Sequence, residues 1–255
     1  MAKDRVDVIL TKRGLAPSRE RAKALIMAGQ IYVETERIIK PDKVIDDDAA
    51  IEIKGSPIPY VSFGGVKLAK ALAAFGIDAT GKEAMDIGSS TGGFVDCLLK
   101  AGAAFVYAID VGTHQLHESL RKDDRIVVKE NVNARYLTFE DVGRTFDIIT
   151  IDVSFISLKK ILPVVTPFMK DGACVISLLK PQFEVGRYEV GKGGIVRDTE
   201  KIRRVIDDIK EYGTALGLWP VGEVESPREK EKKNREYFVL WELRESRSLS
   251  GFLPA

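Results

Sequence analysis

Residues 83–94 read EAMDIGSSTGGF, and this stretch decides the fold of the chain. A short apolar segment leads into Asp86, small residues fill the positions from Gly88 to Gly93, and the amphipathic run FVDCLLKAG follows. This order predicts a strand, a glycine-rich turn and a helix that ends at Gly102. Glycines in such a turn let the backbone approach a ligand, and the start of the helix offers free N–H groups. A tight turn that binds no ligand would also favour glycines, so the pattern alone leaves both interpretations open.

The loop lacks the nucleotide fingerprint G-x-G-x-x-G, because Ser89 and Ser90 separate Gly88 from the later glycines. Its spacing instead resembles the first motif of the S-adenosylmethionine-dependent methyltransferases, whose loop contacts a methionine tail rather than a pyrophosphate. The resemblance implies that S-adenosylmethionine is the cofactor. It also implies that the loop residues bind it, namely Asp86, Gly88, Ser89, Ser90, Thr91, Gly92 and Gly93.

Composition limits the classes of protein that remain. With 255 residues, 45% hydrophobic and 30% charged, the chain has the size of one large domain, or of one large and one small domain. A formal net charge of +1 gives no global attraction to nucleic acid, so RNA affinity must come from local clusters. Cys97 and Cys174 lie far apart in apolar runs without metal-ligand spacing, so we expect no metal site. No apolar run approaches the roughly 18 residues that span a bilayer, and no secretory core precedes the first domain, which favours a cytoplasmic protein.

Strands and helices alternate from Glu83 onward, which predicts a doubly wound, mostly parallel α/β sheet of Rossmann-like type. Only the charged loop SPREKEKKNRE separates the last two strands, so we expect the last strand to be antiparallel. The predicted strands are 84–86, 105–110, 126–129, 146–151, 173–179, 218–224 and 237–242. The predicted helices end at Lys100 and Leu120, begin at Leu158 and cover 201–212.

The first 54 residues predict a small α+β domain. Val6, Ile9 and Leu10 form the apolar stripe of a first helix, for which Asp4 is the expected cap, and Ser18 can cap a second helix that ends at Gly29. Short alternating strands follow around residues 31–33, 44 and 51–53. From Met1 to Lys23 there are seven Lys or Arg against three acids, although the whole chain is balanced. A charged helix face of this kind is, taken alone, also compatible with a solvated surface.

This order of helix, basic helix and short strands resembles the S4-like (α-L) RNA-binding domain. The resemblance implies that Ser18, Arg19, Arg21 and Lys23 lie against RNA phosphates, with Arg13 beside them. Such domains recognise RNA shape, and the contacts to the backbone carry the charge. The resulting domain prediction has an RNA-binding domain over 1–54, a linker over 55–62, a methyltransferase domain over 63–245 and a tail over 246–255.

Polar residues follow the predicted strands of the sheet. Open parallel sheets bind ligands beyond the carboxyl ends of their strands. Asp110 ends the second strand and is placed to accept hydrogen bonds from a ribose diol, although a helix cap explains it nearly as well. Asn131 follows the third strand and could meet an adenine edge.

A second set of polar residues converges on the same edge. Asp152 follows the fourth strand and Lys180 the fifth, while an antiparallel last strand would begin beside them at Glu236. Lys67 can reach this edge from the helix that precedes the sheet. Individually, each of these residues would usually be a surface charge or a member of an ion pair.

Together, Lys67, Asp152, Lys180 and Glu236 match, in order, the lysine–aspartate–lysine–glutamate tetrad of the FtsJ-type ribose 2′-O-methyltransferases. With the amino-terminal domain, nearly the whole chain resembles the haemolysin A (TlyA) family of ribosomal RNA 2′-O-methyltransferases. The resemblance implies methylation of ribosomal RNA or ribosomal subunits, with cytidine as the family's target base. One departure is Phe63, which stands where the family usually has an arginine.

The reaction needs these residue types. A ribose 2′-hydroxyl is a poor nucleophile until it loses its proton, and a free lysine, with a pKa of about 10.4, is a poor base at neutral pH. A second lysine and partial desolvation favour the neutral form, whereas Asp152 and Glu236 oppose it. We expect Lys180 to be the base and the other three residues to position it and the substrate, but the sequence does not decide between the two lysines. Two alternatives are a non-catalytic scaffold on an RNA-binding protein and a membrane-lytic haemolysin. The segment 181–197 is long enough to be a functional flap.

Overall fold

The computed structural model describes residues 3–27, 29–54, 58–186, 188–230 and 232–244, and the chain forms two compact units, Met1–Pro57 and Ile58–Ala255. Residues 55–57 of the predicted linker and the predicted tail over 246–255 lie outside the described residues. The domain boundaries deduced from the sequence therefore stay predictions. In the ranges described, no helix is both long enough and apolar enough to cross a bilayer.

The first unit is a small α+β fold. Its elements are β1 (Lys3–Arg5), α1 (Val6–Lys12), α2 (Arg19–Met27), β2 (Ile31–Val33), β3 (Glu36–Ile38), β4 (Val44–Asp46) and β5 (Ile51–Ile53). Strand β1 pairs with β4, and β2 lies between β3 and β5, with every pair antiparallel. The apolar stripes of the two helices face each other and the strands in one buried core.

Of the two helix caps predicted for this unit, only one is found. The Oγ of Ser18 accepts a hydrogen bond from the N–H of Arg21 at 3.2 Å and so caps α2. The prediction of Asp4 as the cap of α1 is wrong, because Asp4 lies in β1 and α1 follows Arg5 without a side-chain cap. Pairing with β4 holds Asp4 in an extended conformation one residue too early for a cap.

The second unit alternates strands and helices. Its elements are α3 (Phe63–Phe75), β6 (Glu83–Ile87), α4 (Gly93–Lys100), β7 (Phe105–Ile109), α5 (Glu118–Arg121), β8 (Ile126–Lys129), α6 (Phe139–Val142), β9 (Phe146–Ile151), α7 (Leu162–Val165), β10 (Met169–Leu179), α8 (Pro181–Glu184), α9 (Thr199–Ala215), β11 (Leu218–Glu225) and β12 (Tyr237–Leu243).

In the described part of this unit the strands form one seven-stranded sheet in the order β11-β12-β10-β9-β6-β7-β8. Strands β6 to β10 are parallel, and β12 runs antiparallel to both β10 and β11. The predicted Rossmann-like sheet with an antiparallel last strand is therefore confirmed. Because Leu179 pairs with Tyr237, β10 ends where β12 begins, which places Lys180 beside Glu236.

Both faces of this sheet are buried, which explains why its strands are apolar with little alternation. On one face the sheet packs against α9 through residues such as Ile202 and Ile206. On the other face it packs against α3 and α4 through residues such as Leu68 and Leu98. The polar groups of the site are thereby confined to the loops at the strand ends.

Two predicted helices are shorter than expected. The helix predicted to end at Leu120 is only the four residues of α5, because residues 111–117 form a loop along the carboxyl edge of the sheet. The helix predicted from Leu158 is a 3-10 turn over Leu158–Lys160 followed by α7. Pro163 lies in the first turn of α7, where its missing N–H is tolerated, but it cannot continue a helix from upstream.

Candidate active site

The glycine-rich loop between β6 and α4 lies directly against the end of β9. Gly88 has a φ of +89°, and a Cβ atom at this position would lie 2.5 Å from the carbonyl oxygen of Asp152. Gly92 has a φ of +92° and precedes α4, but a Cβ there would meet the side chains of Leu116 and Leu120. The glycines thus serve two purposes. Gly88 permits a close backbone approach, whereas Gly92 permits the turn and leaves room for two leucines.

Asp110 fixes the shape of this loop. Its Oδ2 accepts a hydrogen bond from the N–H of Ser90 at 2.7 Å, and its Oδ1 accepts one from the N–H of Gly112 at 2.7 Å. Each carboxylate oxygen has a second lone pair, so the side chain keeps acceptor capacity for a diol. Asp110 does not cap the helix that follows β7, because α5 begins at Glu118 and His117 is its cap. Its contact with a ribose diol stays a prediction.

Two clefts adjoin each other along the carboxyl edge of the sheet. The first, of about 430 Å³, is lined by all four residues of the predicted tetrad and by residues 88–91 of the loop. The second, of about 620 Å³, is lined by Asp110 and by apolar side chains that include Val111 and Ile161. Gly88, Ser90, Asp152 and Ser154 line both clefts. A ligand in one cleft therefore meets a ligand in the other at the end of β9.

The tetrad forms two ion pairs in the first cleft. The Nζ of Lys180 lies 2.6 Å from the Oδ1 of Asp152 and donates a hydrogen bond to the Oγ of Ser154 at 2.8 Å. The Nζ of Lys67 donates a hydrogen bond to the Oε2 of Glu236 at 2.5 Å. Lys180 is the more enclosed lysine, with 9% of its side-chain surface exposed against 19% for Lys67. Each lysine is held by its own carboxylate at the rim of a cleft.

Asp86 lies beneath the loop and lines neither cleft. Its Oδ1 accepts a hydrogen bond from the Oγ1 of Thr150 at 2.7 Å, while its buried Oδ2 has no hydrogen-bond partner among the described residues. Burial raises the pKa of this carboxyl to about 7; the bond from Thr150 lowers it, and the charge of Asp152 raises it. Asp86 is thus buried under the turn, and the cofactor contact that the resemblance implies for it stays a prediction.

Asn131 also lies away from the clefts, although it was predicted to meet an adenine edge. It has a φ of +59°, and its Oδ1 accepts a hydrogen bond from the Oγ1 of Thr113 at 3.3 Å. Asn133, two residues later, lines the second cleft instead. Both asparagines follow β8 closely in the sequence, so the left-handed turn at Asn131 decides which one faces the cleft.

Sequence reasoning missed Ser154 and Phe155, which follow Asp152 closely. Ser154 holds the Nζ of Lys180, and Phe155 has a φ of +64° with 90% of its surface exposed. The Phe155 ring lies 5.2 Å from that of Phe183, which belongs to the predicted flap. A serine and an aromatic residue in the run DVSF, next to the aspartate of the predicted tetrad, are the signal that could have identified them.

In the first unit, one buried aspartate holds two arginines at the predicted basic face. The Nη2 of Arg19 donates a hydrogen bond to the Oδ2 of the buried Asp7 at 3.1 Å, and the Nε of Arg5 donates one to its Oδ1 at 3.0 Å. Burial opposes the charge of Asp7, but the two guanidinium groups outweigh it and lower the pKa of the carboxyl. Asp7 therefore fixes Arg5, which the sequence analysis did not single out, beside Arg19.

The other residues predicted to contact RNA differ in whether their side chains are bonded within the unit. Arg13 donates hydrogen bonds to the carbonyl oxygens of Asp47 and Ala49, so its guanidinium is used within the unit. Arg21 and Lys23 are half-buried on α2, and Lys23 lies one turn from Arg19 on the same face.

The residues of the second cleft fit S-adenosylmethionine. Apolar walls suit an adenine ring, Asp110 can accept hydrogen bonds from a ribose diol, and the glycine turn leaves the backbone close to the shared wall. Over the ranges described, no three His, Cys, Asp or Glu side chains are grouped to hold a metal ion.

Comparisons with known proteins identify a family for each of the two parts of the chain. The model of the FtsJ-like methyltransferases matches residues 60–243, and that of the S4 domain matches residues 4–50. YqxC of Bacillus subtilis, named as a candidate rRNA methyltransferase, is 49% identical over 216 residues, 84% of this chain and 77% of its own. The 16S/23S rRNA (cytidine-2′-O)-methyltransferase TlyA of Mycobacterium tuberculosis is 42% identical over 97% of this chain and 92% of its own.

A solved structure is also similar to most of this chain. A protein described as a hemolysin candidate from Streptococcus thermophilus superposes with a TM-score of 0.74 at 42% identity, covering 94% of this chain and 88% of its own. Both parts of the resemblance stated from the sequence, the S4-like domain and the FtsJ-type domain, are thus confirmed.

Proposed function

This chain belongs to the FtsJ-like methyltransferase family and carries an amino-terminal S4 domain, and from that premise we propose that it methylates the ribose 2′-hydroxyl of ribosomal RNA with S-adenosylmethionine. The observation that carries the proposal is the meeting of two lysine–carboxylate pairs in one cleft that shares a wall with an apolar cleft. The tetrad, the loop residues and Asp110 are its proposed site.

The second cleft is the proposed place of the cofactor. Asp110 would accept hydrogen bonds from its ribose, the side chains of Val111 and Ile161 would flank its adenine, and the loop at Ser90 would meet its methionine part. When bound, S-adenosylmethionine supplies a methyl group on a sulfonium, which needs no further activation by the protein. Because Gly88 and Asp152 line both clefts, a cofactor held in the second cleft would adjoin the place proposed for the target ribose.

The first cleft is the proposed place of the target ribose. Lys180 would act as the base: its uncharged amine takes the 2′-hydroxyl proton and becomes an ammonium beside Asp152, so that the oxygen becomes a nucleophile for the methyl group. Asp152 and Ser154 orient the Nζ of Lys180 toward the hydroxyl. Lys67, held by Glu236, supplies a positive charge beside the oxygen as its negative charge develops.

The relatives support the choice of RNA. The Mycobacterium tuberculosis relative is named for cytidine-2′-O methylation of 16S and 23S rRNA, so we propose a cytidine of ribosomal RNA as the substrate. This substrate would place the protein in the cytoplasm. The basic face of the S4 domain supplies the charge that an RNA backbone requires.

The proposal is tested by mapping 2′-O-methyl positions in ribosomal RNA from cells with and without the protein. We expect at least one position to be methylated only in its presence and to stay unmethylated with a Lys180→Ala variant. Unchanged maps, together with RNA binding, would support the non-catalytic scaffold. Because the Streptococcus thermophilus protein is described as a hemolysin candidate, a haemolysis assay with the same preparation checks the membrane-lytic alternative.

A further inference from the structure

A third cleft lies beside the first one and is strongly basic. It has a volume of about 610 Å³, within the size range of sites for small ligands. Its apolar side is formed by residues that include the buried Val196 and Ile202. Among the described residues that line it there is no carboxylate, and there are five cations, which are Arg197, Arg228, Lys232, Lys233 and Arg235.

The positive side chains of the third cleft are paired with acids less completely than those on the neighbouring face of α9. On α9, Arg204 and Lys201 both pair with Glu189, at 2.7 and 3.9 Å. In the described ranges Arg197 and Lys232 form no ion pair with an acid. The positive charge is therefore concentrated in the cleft although the chain as a whole has a net charge of only +1.

Three of the five cations have acidic partners close to them, at the end of β11 and on the β11–β12 loop. Arg228 and Arg235 share the carboxylate of Glu225, at 3.9 and 3.8 Å, and Lys233 pairs with Glu229 at 2.5 Å. Within the part of the chain that the structure describes, two acids are thus set against five cations, which leaves a surplus of positive charge. A concave surface with an apolar floor focuses this surplus on whatever anion enters.

One side chain fixes the two walls of the cleft to each other. The Nδ2 of Asn234 donates a hydrogen bond to the carbonyl oxygen of Gly194 at 2.8 Å, and its Oδ1 accepts one from the N–H of Val196 at 2.9 Å. The segment before α9 is thereby held to the loop between β11 and β12. The cleft is a built feature of the domain rather than a chance gathering of mobile side chains.

The third cleft is continuous with the proposed site of methyl transfer. Arg228 and Lys233 line both the third cleft and the first one. An RNA strand whose target ribose occupies the first cleft has a phosphate on each side of that nucleotide, so one neighbouring stretch of backbone can run along this path. We propose that the third cleft binds the phosphates of the RNA strand next to the target nucleotide, an inference that rests on the proposed function.

Arginine and lysine suit this ligand because phosphodiester oxygens accept charge-assisted hydrogen bonds from both. Contacts of this kind position the strand without reading its sequence. The consequence is that the methyltransferase domain holds the strand near the reacting nucleotide itself, in addition to any RNA contacts of the S4 domain.

The test compares two double variants in single-turnover methyl transfer. Arg197→Ala/Lys232→Ala removes two exposed cations of the cleft, and Lys201→Ala/Arg204→Ala removes two cations of α9 that pair outside it. The probe is ribosomal RNA from cells that lack the protein, titrated at several salt concentrations. We expect the cleft variant to need roughly tenfold more RNA for half-maximal rate, with an unchanged maximal rate. Its salt slope should fall by about one for each phosphate that the variant no longer neutralises.

Each other outcome has a definite meaning. If wild-type protein transfers methyl groups and the cleft variant matches the α9 control in both RNA requirement and salt slope, the third cleft does not bind the strand. A lower maximal rate with an unchanged RNA requirement also overturns the inference. If wild-type protein transfers no methyl group to RNA, the proposed function fails, and this result is separate from any difference between the two variants.

Discussion

A Cβ atom at Gly88 would lie 2.5 Å from the carbonyl oxygen of Asp152. The turn proposed to hold the cofactor therefore packs against the backbone of Asp152, whose carboxylate holds the Nζ of Lys180. The N–H of Asp152 also donates a hydrogen bond to the carbonyl oxygen of Ile87 at 2.9 Å, which ties the two strand ends together. A change at the turn is thus transmitted to the lysine through the backbone of one residue.

We expect Gly88→Ala to weaken S-adenosylmethionine binding by at least about tenfold and to slow methyl transfer at saturating cofactor. The added methyl group must displace the carbonyl of Asp152, because that oxygen belongs to the backbone and cannot rotate away as a side chain can. Calorimetry gives the cofactor affinity, and single-turnover transfer gives the rate.

Gly81→Ala is the matched control for this substitution. Gly81 has a φ of +71°, and a Cβ atom there would have no other atom within 4 Å, so the variant introduces the same kind of backbone strain without the close approach. If Gly81→Ala and Gly88→Ala lose stability and cofactor affinity equally, backbone strain rather than the close approach explains the effect.

The carboxyl of Asp86 should make the second unit less stable as the pH rises. Its pKa of about 7 in the folded chain lies above the ordinary value of 3.8, so the folded state holds the proton more tightly than the unfolded state does. Stability from this group is therefore present at low pH and is lost as the pH rises toward 7. We expect the free energy of unfolding of wild type, relative to Asp86→Asn, to fall by about 3 kcal/mol between about pH 5 and pH 8.

Urea unfolding of both proteins across this pH range measures the difference, in which the titrations of other groups largely cancel. A difference that grows with pH would mean that Asp86 is ionised and stabilised in the folded chain. The amide variant keeps the shape of the side chain and cannot titrate, so it isolates the proton from the packing.

The course of the sheet could be predicted from the sequence because its central strands, such as β6, β7 and β9, are buried apolar runs with clear breaks on either side. The direction of β12 also followed from the lack of a crossover helix after β11. Asp4 was misplaced because its strand, β1, is only three residues long and exists through pairing with β4, which is distant in the sequence and leaves no local signal.

The residues of the candidate site likewise fall into those that could be placed from the sequence and those that could not. Lys67, Asp152, Lys180 and Glu236 lie on α3 or at strand ends, whose positions follow from the sheet, and they line one cleft. Which of Asn131 and Asn133 faces the second cleft depends on the left-handed backbone turn at Asn131, which the sequence does not specify. The hydrogen bond that the Nζ of Lys180 donates to Ser154 depends on side-chain placement, which no periodicity encodes.

The basic face of the S4 domain should contribute to RNA binding. Replacing Arg19, Arg21 and Lys23 together by alanine removes three positive charges from α2, so fewer counterions are released when RNA binds. We expect weaker binding and a smaller salt slope in filter binding to ribosomal RNA, with unchanged cofactor affinity. Thermal unfolding must accompany the test, because Arg19 pairs with the buried Asp7.

A charge-matched control comes from the same unit. Replacing Lys3, Lys12 and Lys43 by alanine also removes three positive charges, but these lysines pair with acids elsewhere on the unit. If the control and the α2 variant show the same salt slope, net charge rather than the α2 face accounts for the binding.

The pair of Lys67 and Glu236 should act as one unit in the reaction. Their side chains are 19% and 17% exposed, so removing either partner leaves a poorly solvated charge in the cleft. We expect Lys67→Ala and Glu236→Ala each to slow single-turnover transfer, and the double variant to be little slower than the slower single variant. Rate losses that add fully on a logarithmic scale would show that the two residues act independently.

Lys180 provides the sharpest test of the mechanism, because arginine keeps its charge but cannot lose a proton in any accessible range. If Lys180 is the base, Lys180→Arg should bind cofactor and RNA nearly as wild type does yet transfer methyl groups more slowly by about 10²–10⁴-fold. Lys180→Ala should be slow as well, and it leaves Asp152 without its partner at 2.6 Å. Single-turnover transfer at saturating cofactor and RNA separates chemistry from binding. Turnover in the arginine variant near that of wild type would assign Lys180 the role of a fixed charge and make Lys67 the better candidate for the base.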